Sequence, residues 1–282
     1  NGVHPPEHKE LTSGIASRRL PFPDEVILPL SQHLGRPAEA LVKPGDRVER
    51  GDVIAKASGF ISSRVHASAS GTVKSIERWP HPSGTMQPSV RIAVDPHSTQ
   101  LQRPRLVPHW DEVPEEQLSE EISKAGIVGL GGAAFPMHVK LRPPEDQPVD
   151  VLMVNGCECE PYLTSDHRTM LEQPEYVHQG IRIVLRALGI RRAVIGIEAN
   201  KPDAIEVMRD TAPDDLDVTV QPLEVKYPQG AEKMLIKAVT GREVPSGKLP
   251  SAVGALVQNV ATTASVALVF ETGQPLIERI MT

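Results

Sequence analysis

Cysteine is almost missing from this chain: its 282 residues hold two, Cys157 and Cys159. So few thiols exclude a disulfide-stapled secreted domain and imply a reducing compartment. A single Cys-x-Cys also falls short of the four thiolates that hold an iron–sulfur cluster. Positive charge is not in excess either. The formal net charge of −6 leaves no global basic face for nucleic acid. Long apolar runs are missing too. The most apolar region, residues 253–270, is broken by Gln258, Asn259, Thr262, Thr263 and Ser265, whereas a membrane span needs ~18 uninterrupted apolar residues. A soluble or peripheral protein is expected. The opening Asn-Gly-Val-His has no methionine and no signal-peptide pattern, so the chain reads as a fragment of a longer protein. It shows no internal repeat and no low-complexity tract.

What is present centres on two stretches, residues 126–140 (GIVGLGGAAFPMHVK) and residues 155–161 (NGCECEP). Gly129, Gly131 and Gly132 have no Cβ, so the backbone there can turn sharply and lie against a flat or anionic ligand. Phe135 offers a face for stacking. Lys140 offers a mobile point charge for a phosphate or a polar ring edge. The apolar run at residues 149–154 reads as a buried strand. Asn155, Glu158 and Glu160 follow it, with the cysteines between them. Polar groups just past the carboxyl end of a buried strand are where ligands sit in open α/β sheets. On an extended segment Glu158 and Glu160 share one side, which a solvated acidic turn would equally produce. On letters, Gly129-x-Gly131-x-x-Ala134 fits a dinucleotide fingerprint. That motif needs a strand before it and a helix opening after it. Here Leu118, Ile122 and Ala125 mark a helix over residues 114–125, and Pro136 follows the glycines, so the fingerprint is set aside. A glycine-rich turn that merely packs is the plain alternative.

In chain order, residues 1–21 read as an irregular arm lying over the body. His4 and His8 have the spacing of half a helical metal site, but Pro5 and Pro6 between them spoil the helix. Residues 22–96 read as a small β domain, with short apolar runs punctuated by Pro44-Gly-Asp46, Arg50-Gly-Asp52 and Ser70-Gly71. Residues 97–113, with Pro104 and Pro108 and Pro96 just before, read as a linker. Trp79 and Trp110 flank it. Residues 114–273 alternate in a βαβ rhythm: strands at 149–154, 193–197 and 218–225, and helices at 174–188 and 202–209. A further helix shows Ala231, Met234, Leu235, Ala238 and Val239 on one face and is closed by Gly241. A last helix begins near Asn259. Strands alternating with helices predict a mainly parallel sheet covered on both sides. Residues 274–282 read as the start of a further region. The expected fold class is therefore α/β, a small β domain followed by a Rossmann-like domain.

These stretches also carry a resemblance. GLGGAAFPMHVK is similar to the GxGGAGFPxxxK loop of the flavoprotein subunit of respiratory complex I, and NGCECEP to that family's NADEGEP. Residues 227–233 (YPQGAEK) resemble its Gly-Glu-Glu segment, and residues 258–262 (QNVAT) its NNVET. With Gly2 to Glu7 at the start, the match along the whole chain is to the RnfC family of Rnf electron-transport complexes. Residues 42–77 resemble a biotinyl/lipoyl-like barrel sandwich. Its hairpin tip, about Gly59 to Ser63, has no lysine, and Lys56 lacks the carrier signature, so an unmodified structural domain is expected.

The resemblance implies an FMN/NADH-binding domain that takes hydride from NADH onto FMN. Backbone N–H groups at Gly129, Gly131 and Gly132, and near Gly230 and Asn259, would bind the phosphate. Asn155 and Asn259 would meet ribityl hydroxyls or ring edges, and Thr262 enters with the same segment. Lys140 would stabilise negative charge. Phe135 would stack on the nicotinamide or adenine, and Glu160 would bond the nicotinamide nucleotide. Glu158 and Glu232 would line the flavin side, with Cys157 as lining. The 4Fe–4S clusters would lie in a C-terminal region that this chain lacks. The partners implied are NADH, the other subunits of a membrane-bound Rnf-type complex, and ferredoxin indirectly, at the cytoplasmic face of the bacterial inner membrane. Four departures stand out: Ala134 for glycine, Met137 and His138 for small residues, Cys157 for aspartate and Ala231 for glutamate. Other readings are the similarly built cobalamin reductase of bacterial microcompartments, and a docking scaffold that has kept the fold and lost the flavin.

Overall fold

The computed structural model describes residues 2–102 and 107–282; Pro104 of the expected linker lies outside the described residues. The chain forms two compact units. One comprises Arg18–Val139 and Leu268–Arg279, the other Asn1–Ser17, Lys140–Ala267 and Ile280–Thr282.

The first unit is a barrel sandwich made of two small antiparallel sheets. Its strands are β1 (Glu25–Pro29), β2 (Glu39–Ala40), β3 (Arg47–Val48), β4 (Val53–Lys56), β5 (Val65–His66), β6 (Gly71–Pro80) and β7 (Met86–Val94). One sheet runs β1-β7-β6-β3 and the other β2-β4-β5. Short strands of alternating pattern bury one side each, so Leu30, Val48, Ile54, Val65, Val73, Val90 and Ile92 close one aliphatic core between the sheets. Gly51 turns the chain with φ +97, a conformation that L side chains avoid. Lys56 faces Glu39 across the β2–β4 pair, Nζ to carboxylate 3.2 Å. Helix α1 (Glu115–Lys124) belongs to this unit and buries Leu118 and Ile122, as its spacing predicts. Trp79 lies under the Arg91 guanidinium and Trp110 beside His109. A four-residue helix, α2 (Met137–Lys140), follows the glycine loop.

The second unit is an open α/β sheet with four parallel strands: β8 (Val151–Asn155), β9 (Ala193–Glu198), β10 (Val218–Leu223) and β11 (Ala255–Asn259). Helix α4 (Pro174–Leu188) begins at its proline and stops at Gly189, which is left-handed at φ 65. Val177, Ile181 and Val184 are its buried stripe. Helices α5 (Pro202–Asp210) and α6 (Glu232–Thr240) also fall where the pattern puts them. The face of α6 is turned, however. Leu235 and Ile236 are buried, while Ala231, Met234 and Ala238 are exposed. Gly196 explains part of this, because a Cβ there would meet Leu235 Cδ1 at 2.8 Å; Leu235 occupies the space a side chain on β9 would fill.

In this unit helix α3 (Ser165–Glu172) and strand β11 escape the sequence pattern. β11 runs straight into helix α7 (Val260–Thr272), apolar on most sides, so the two merge into one apolar stretch. The N-terminal arm lies along this unit. Val3 and Tyr227 exchange backbone hydrogen bonds at 3.0 and 2.8 Å, and His8 stacks on Tyr162. Among the described residues, no helix is long and apolar enough to cross a membrane.

Candidate functional site at the carboxyl edge of the parallel sheet

The strand order β10-β9-β8-β11 contains one reversal. From β8 the chain builds outward through β9 to β10, then returns to lay β11 along the other side of β8. The reversal falls between β8 and β11, whose last residues, Asn155 and Asn259, are register partners. In open α/β sheets the ligand crevice opens outside the carboxyl ends at such a point.

Each asparagine side chain is fixed by two partner residues. Asn155 donates Nδ2 to the Gly230 carbonyl (2.9 Å) and accepts from Cys157 N–H (3.0 Å). Asn259 donates Nδ2 to Asp166 Oδ2 (2.7 Å) and accepts from Thr262 N–H (3.0 Å) as the cap of α7. Gly230 backs directly onto the Asn155–Cys157 turn; a Cβ there would meet the Cys157 carbonyl at 3.1 Å. Lys140 reaches strand β11. Its ammonium donates to the Val257 carbonyl (2.5 Å) and to Glu232 (3.0 Å), at the first turn of α6. The structure thus brings together Lys140, Asn155, Cys157, Gly230, Glu232, Asn259 and Thr262. Burial pushes the Cys157 thiol well up, with Glu198 adding to it, so this cysteine is an inert lining group.

Glu158 and Glu160 do not share a side. The chain leaves strand geometry after Asn155, so alternation no longer applies. Glu158 is 2% exposed and caps α3, accepting from the N–H groups of Asp166 (2.7 Å) and His167 (3.0 Å) and from Ser165 Oγ (3.2 Å). Its carboxylate is taken up by the helix start, whereas Glu160 stands exposed.

Beneath the turn lies a buried ionic layer that sequence reasoning missed. Lys201 and Glu198 are each 1% exposed and pair at 3.1 Å. Glu198 Oε2 also accepts from Glu158 N–H (3.1 Å), and Glu198 Oε1 has no hydrogen-bond partner among the described residues. Lys9, from the arm, donates to the carbonyls of Glu160 (3.1 Å) and Leu163 (2.6 Å); desolvation lowers its pKa, with Lys201 as the next cause. Asp166 is buried beside Asn259. Desolvation, then the Glu158 charge, pushes its pKa up to about 8. The available signal was positional: Glu198 ends an apolar run, and Lys201 stands three residues on at the start of a helix.

Gly129, Gly131, Gly132 and Phe135 belong to the barrel-sandwich unit. The loop closes on itself, Gly129 N–H to the Phe135 carbonyl at 2.9 Å, with a bridge between Val128 and Pro136. Ala134 sits in the left-handed region, φ 50, where the resembled motif has glycine. At Gly132 an added Cβ would meet no atom within 4 Å, and the backbone there is not left-handed. Neither packing nor conformation demands that glycine.

Residues 122–268, just over half the chain, match the family described as the Nuo51 FMN-binding domain. The chain belongs to that family. Residues 1–97 match the RnfC barrel sandwich hybrid domain. The C component of the proton-translocating ferredoxin:NAD(+) oxidoreductase complex of Clostridium ljungdahlii is 46% identical over 281 residues, which takes in 100% of this chain and 61% of that protein. The C component of the Na(+)-translocating ferredoxin:NAD(+) oxidoreductase complex of Acetobacterium woodii is 44% identical over 283 residues, 100% of this chain and 63% of that protein. The chain therefore spans about three fifths of the length of these curated relatives. A solved NAD+-reducing NiFe hydrogenase aligns with a TM-score of 0.48 and 23% identity, covering 58% of this chain and 33% of that one; at that level it adds nothing to the fold described. The family's FMN-binding domain takes in the reversal point between β8 and β11, and the RnfC-type domain takes in the barrel sandwich.

Proposed function

We propose that this chain is the flavin-binding part of an electron-transport subunit of an Rnf-type complex, where hydride from NADH is received at FMN and electrons leave toward iron–sulfur clusters outside this stretch. The observation that carries the reading is the Asn155–Asn259 pair at the sheet's reversal point, in a chain of the FMN-binding family. The donor set fits a flavin mononucleotide. A carboxamide has two N–H bonds, and one acceptor is described for each asparagine. Each therefore keeps an N–H to offer to ribityl hydroxyls or ring edges. The opening turn of α6, at Glu232 and Lys233, presents backbone N–H groups suited to a phosphate.

When bound, FMN would supply the redox chemistry, and the chain's residues would bind and orient. Lys140, held between Val257 and Glu232, would keep a positive charge fixed near the strand ends. Phe135 and the exposed Glu160 would serve the nicotinamide nucleotide, by stacking and by hydrogen bonding. Glu158, occupied with α3, would shape the turn that carries Glu160 and would not touch the ligand. The chain would act among the other subunits of a membrane-bound complex, as a peripheral component at the cytoplasmic face, with ferredoxin reached indirectly.

The test is an FMN titration followed by flavin fluorescence. Saturable quenching is expected. Lys140→Met removes a charge-assisted contact worth ~1.5–3 kcal/mol, so affinity should fall about ten- to hundredfold. Free-flavin behaviour at saturating protein would favour a docking scaffold. A bound flavin that NADH cannot bleach anaerobically would remove the nicotinamide roles of Phe135 and Glu160.

A further inference from the structure

The barrel-sandwich unit contains a cavity of about 50 Å³, bordered by Gln32, His33, Ser63, Arg64, His66 and Arg279 among others. No acidic side chain lines it. Arg64 and Arg279 have no hydrogen-bond or ion-pair partner among the described residues. The acid next to Arg279 in the chain, Glu278, is engaged by Arg50 and Arg19. Arg64 is half-buried and Arg279 reaches solvent at the mouth of the cavity.

The serine is the second observation. His33 is buried and fixed at both nitrogens, Nδ1 donating to the Leu34 carbonyl (3.2 Å) and Nε2 accepting from Ser63 N–H (3.0 Å). Ser63 is 2% exposed, and its hydroxyl oxygen has no hydrogen-bond partner among the described residues. Buried hydroxyls are rarely left in that state, because an unmade bond forfeits the full desolvation cost. Two guanidiniums without counter-ions beside an orphaned hydroxyl make a pocket rich in donors and free of carboxylates. Guanidinium forks match the paired oxygens of carboxylates and phosphates. The volume admits a few water-sized groups, which suits a small anion and excludes a nucleotide.

We propose that this cavity binds a small oxyanion, a phosphate or carboxylate group, held by the guanidiniums of Arg64 and Arg279 and the hydroxyl of Ser63. The site stands apart from the flavin reading and does not depend on it.

The experiment titrates inorganic phosphate and, separately, acetate into the full chain at constant ionic strength, by calorimetry and by the thermal unfolding midpoint. One of the two anions should bind saturably and raise the midpoint, and the preferred one names the source chemistry. The double variant Arg64→Gln/Arg279→Gln should weaken that binding at least tenfold. Ser63→Ala should also weaken it, while leaving the anion-free midpoint unchanged or higher, because it removes an unsatisfied hydroxyl. The proposal is overturned if neither anion binds saturably or if the double variant binds as the parent does. A drop in the anion-free midpoint of Ser63→Ala would also overturn it, since the hydroxyl would then serve the fold.

Discussion

Asn155 and Asn259 end two neighbouring parallel strands in register, and each carboxamide braces a different segment. Asn155 holds the loop that leads into α6 through the Gly230 carbonyl. Asn259 holds α3 through Asp166 and starts α7 through Thr262. Three helix starts are thereby tied to two strand ends, which aligns several backbone N–H groups at one edge of the sheet. The ionic layer under that edge is part of the same construction, because Glu158 caps α3 with one end and takes its own N–H to Glu198 with the other.

Lys201→Met should destabilise the fold by about 3–5 kcal/mol, the cost of stripping one partner from a buried pair. Glu198 would be left 1% exposed with one oxygen that already has no partner. Urea unfolding of the variant checks this. A loss below about 1 kcal/mol would mean that water reaches Glu198. Lys201→Met/Glu198→Leu should recover most of the loss, since replacing both charges by apolar groups is often neutral.

Ala134→Gly should stabilise the chain by up to about 1 kcal/mol. A left-handed alanine costs ~1–2 kcal/mol, and glycine's greater freedom when unfolded takes some of the gain back. Ala134 is held at φ 50 while its carbonyl accepts from Leu34 N–H at 3.2 Å. A lower urea midpoint in the variant would mean that this loop is not left-handed in solution.

What the sequence made legible follows physical lines. α4 was readable to the residue because local chemistry sets both ends, Pro174 at the first turn and Gly189 past the last. β8 and β9 were readable because strands buried on both faces are near-continuous apolar runs, and the edge strand β10 because Val218, Val220 and Leu223 mark it, with Val220 and Leu223 buried. β11 was not, because no turn separates it from α7; its only boundary is a cap residue, Asn259, inside an apolar stretch. α3 was missed because Asp166, His167 and Arg168 look like surface, whereas the first two are buried by partners distant in sequence. The site shows the same split. The glycine loop, Lys140 and the asparagines announced themselves by residue type. The burial of Glu158 and the Glu198–Lys201 pair arise from tertiary contacts that no local pattern encodes.

Lys56 should stay unmodified. It lies at the end of β4 in a cross-strand ion pair with Glu39, not at the hairpin tip. Protein made in a host with lipoyl and biotin ligases should show the intact mass of the bare chain. An added mass mapped to Lys56 would make the barrel sandwich a carrier domain.

Asp166 should give the chain an inverted pH response. An unfolded aspartate titrates near 3.9, whereas burial and the Glu158 charge push Asp166 up to about 8 in the fold, against the opposing pull of Asn259 and Lys201. Between about pH 4 and pH 8 the native state therefore holds more protons than the unfolded one. Stability falls as pH rises wherever that is so. The contribution is complete below about pH 4 and gone above about pH 8. Asp166→Asn keeps an oxygen for the Asn259 amide and cannot ionise. It should flatten the decline between pH 5 and pH 8 and exceed the parent at pH 9 by up to about 5 kcal/mol, at roughly 1.4 kcal/mol per tenfold change in proton affinity over about four such steps. Urea midpoints at pH 5, 7 and 9 read the difference. If the variant keeps the parent's slope throughout, Asp166 is ionised in the fold, and Asn259 is held by a charged acceptor rather than a neutral one.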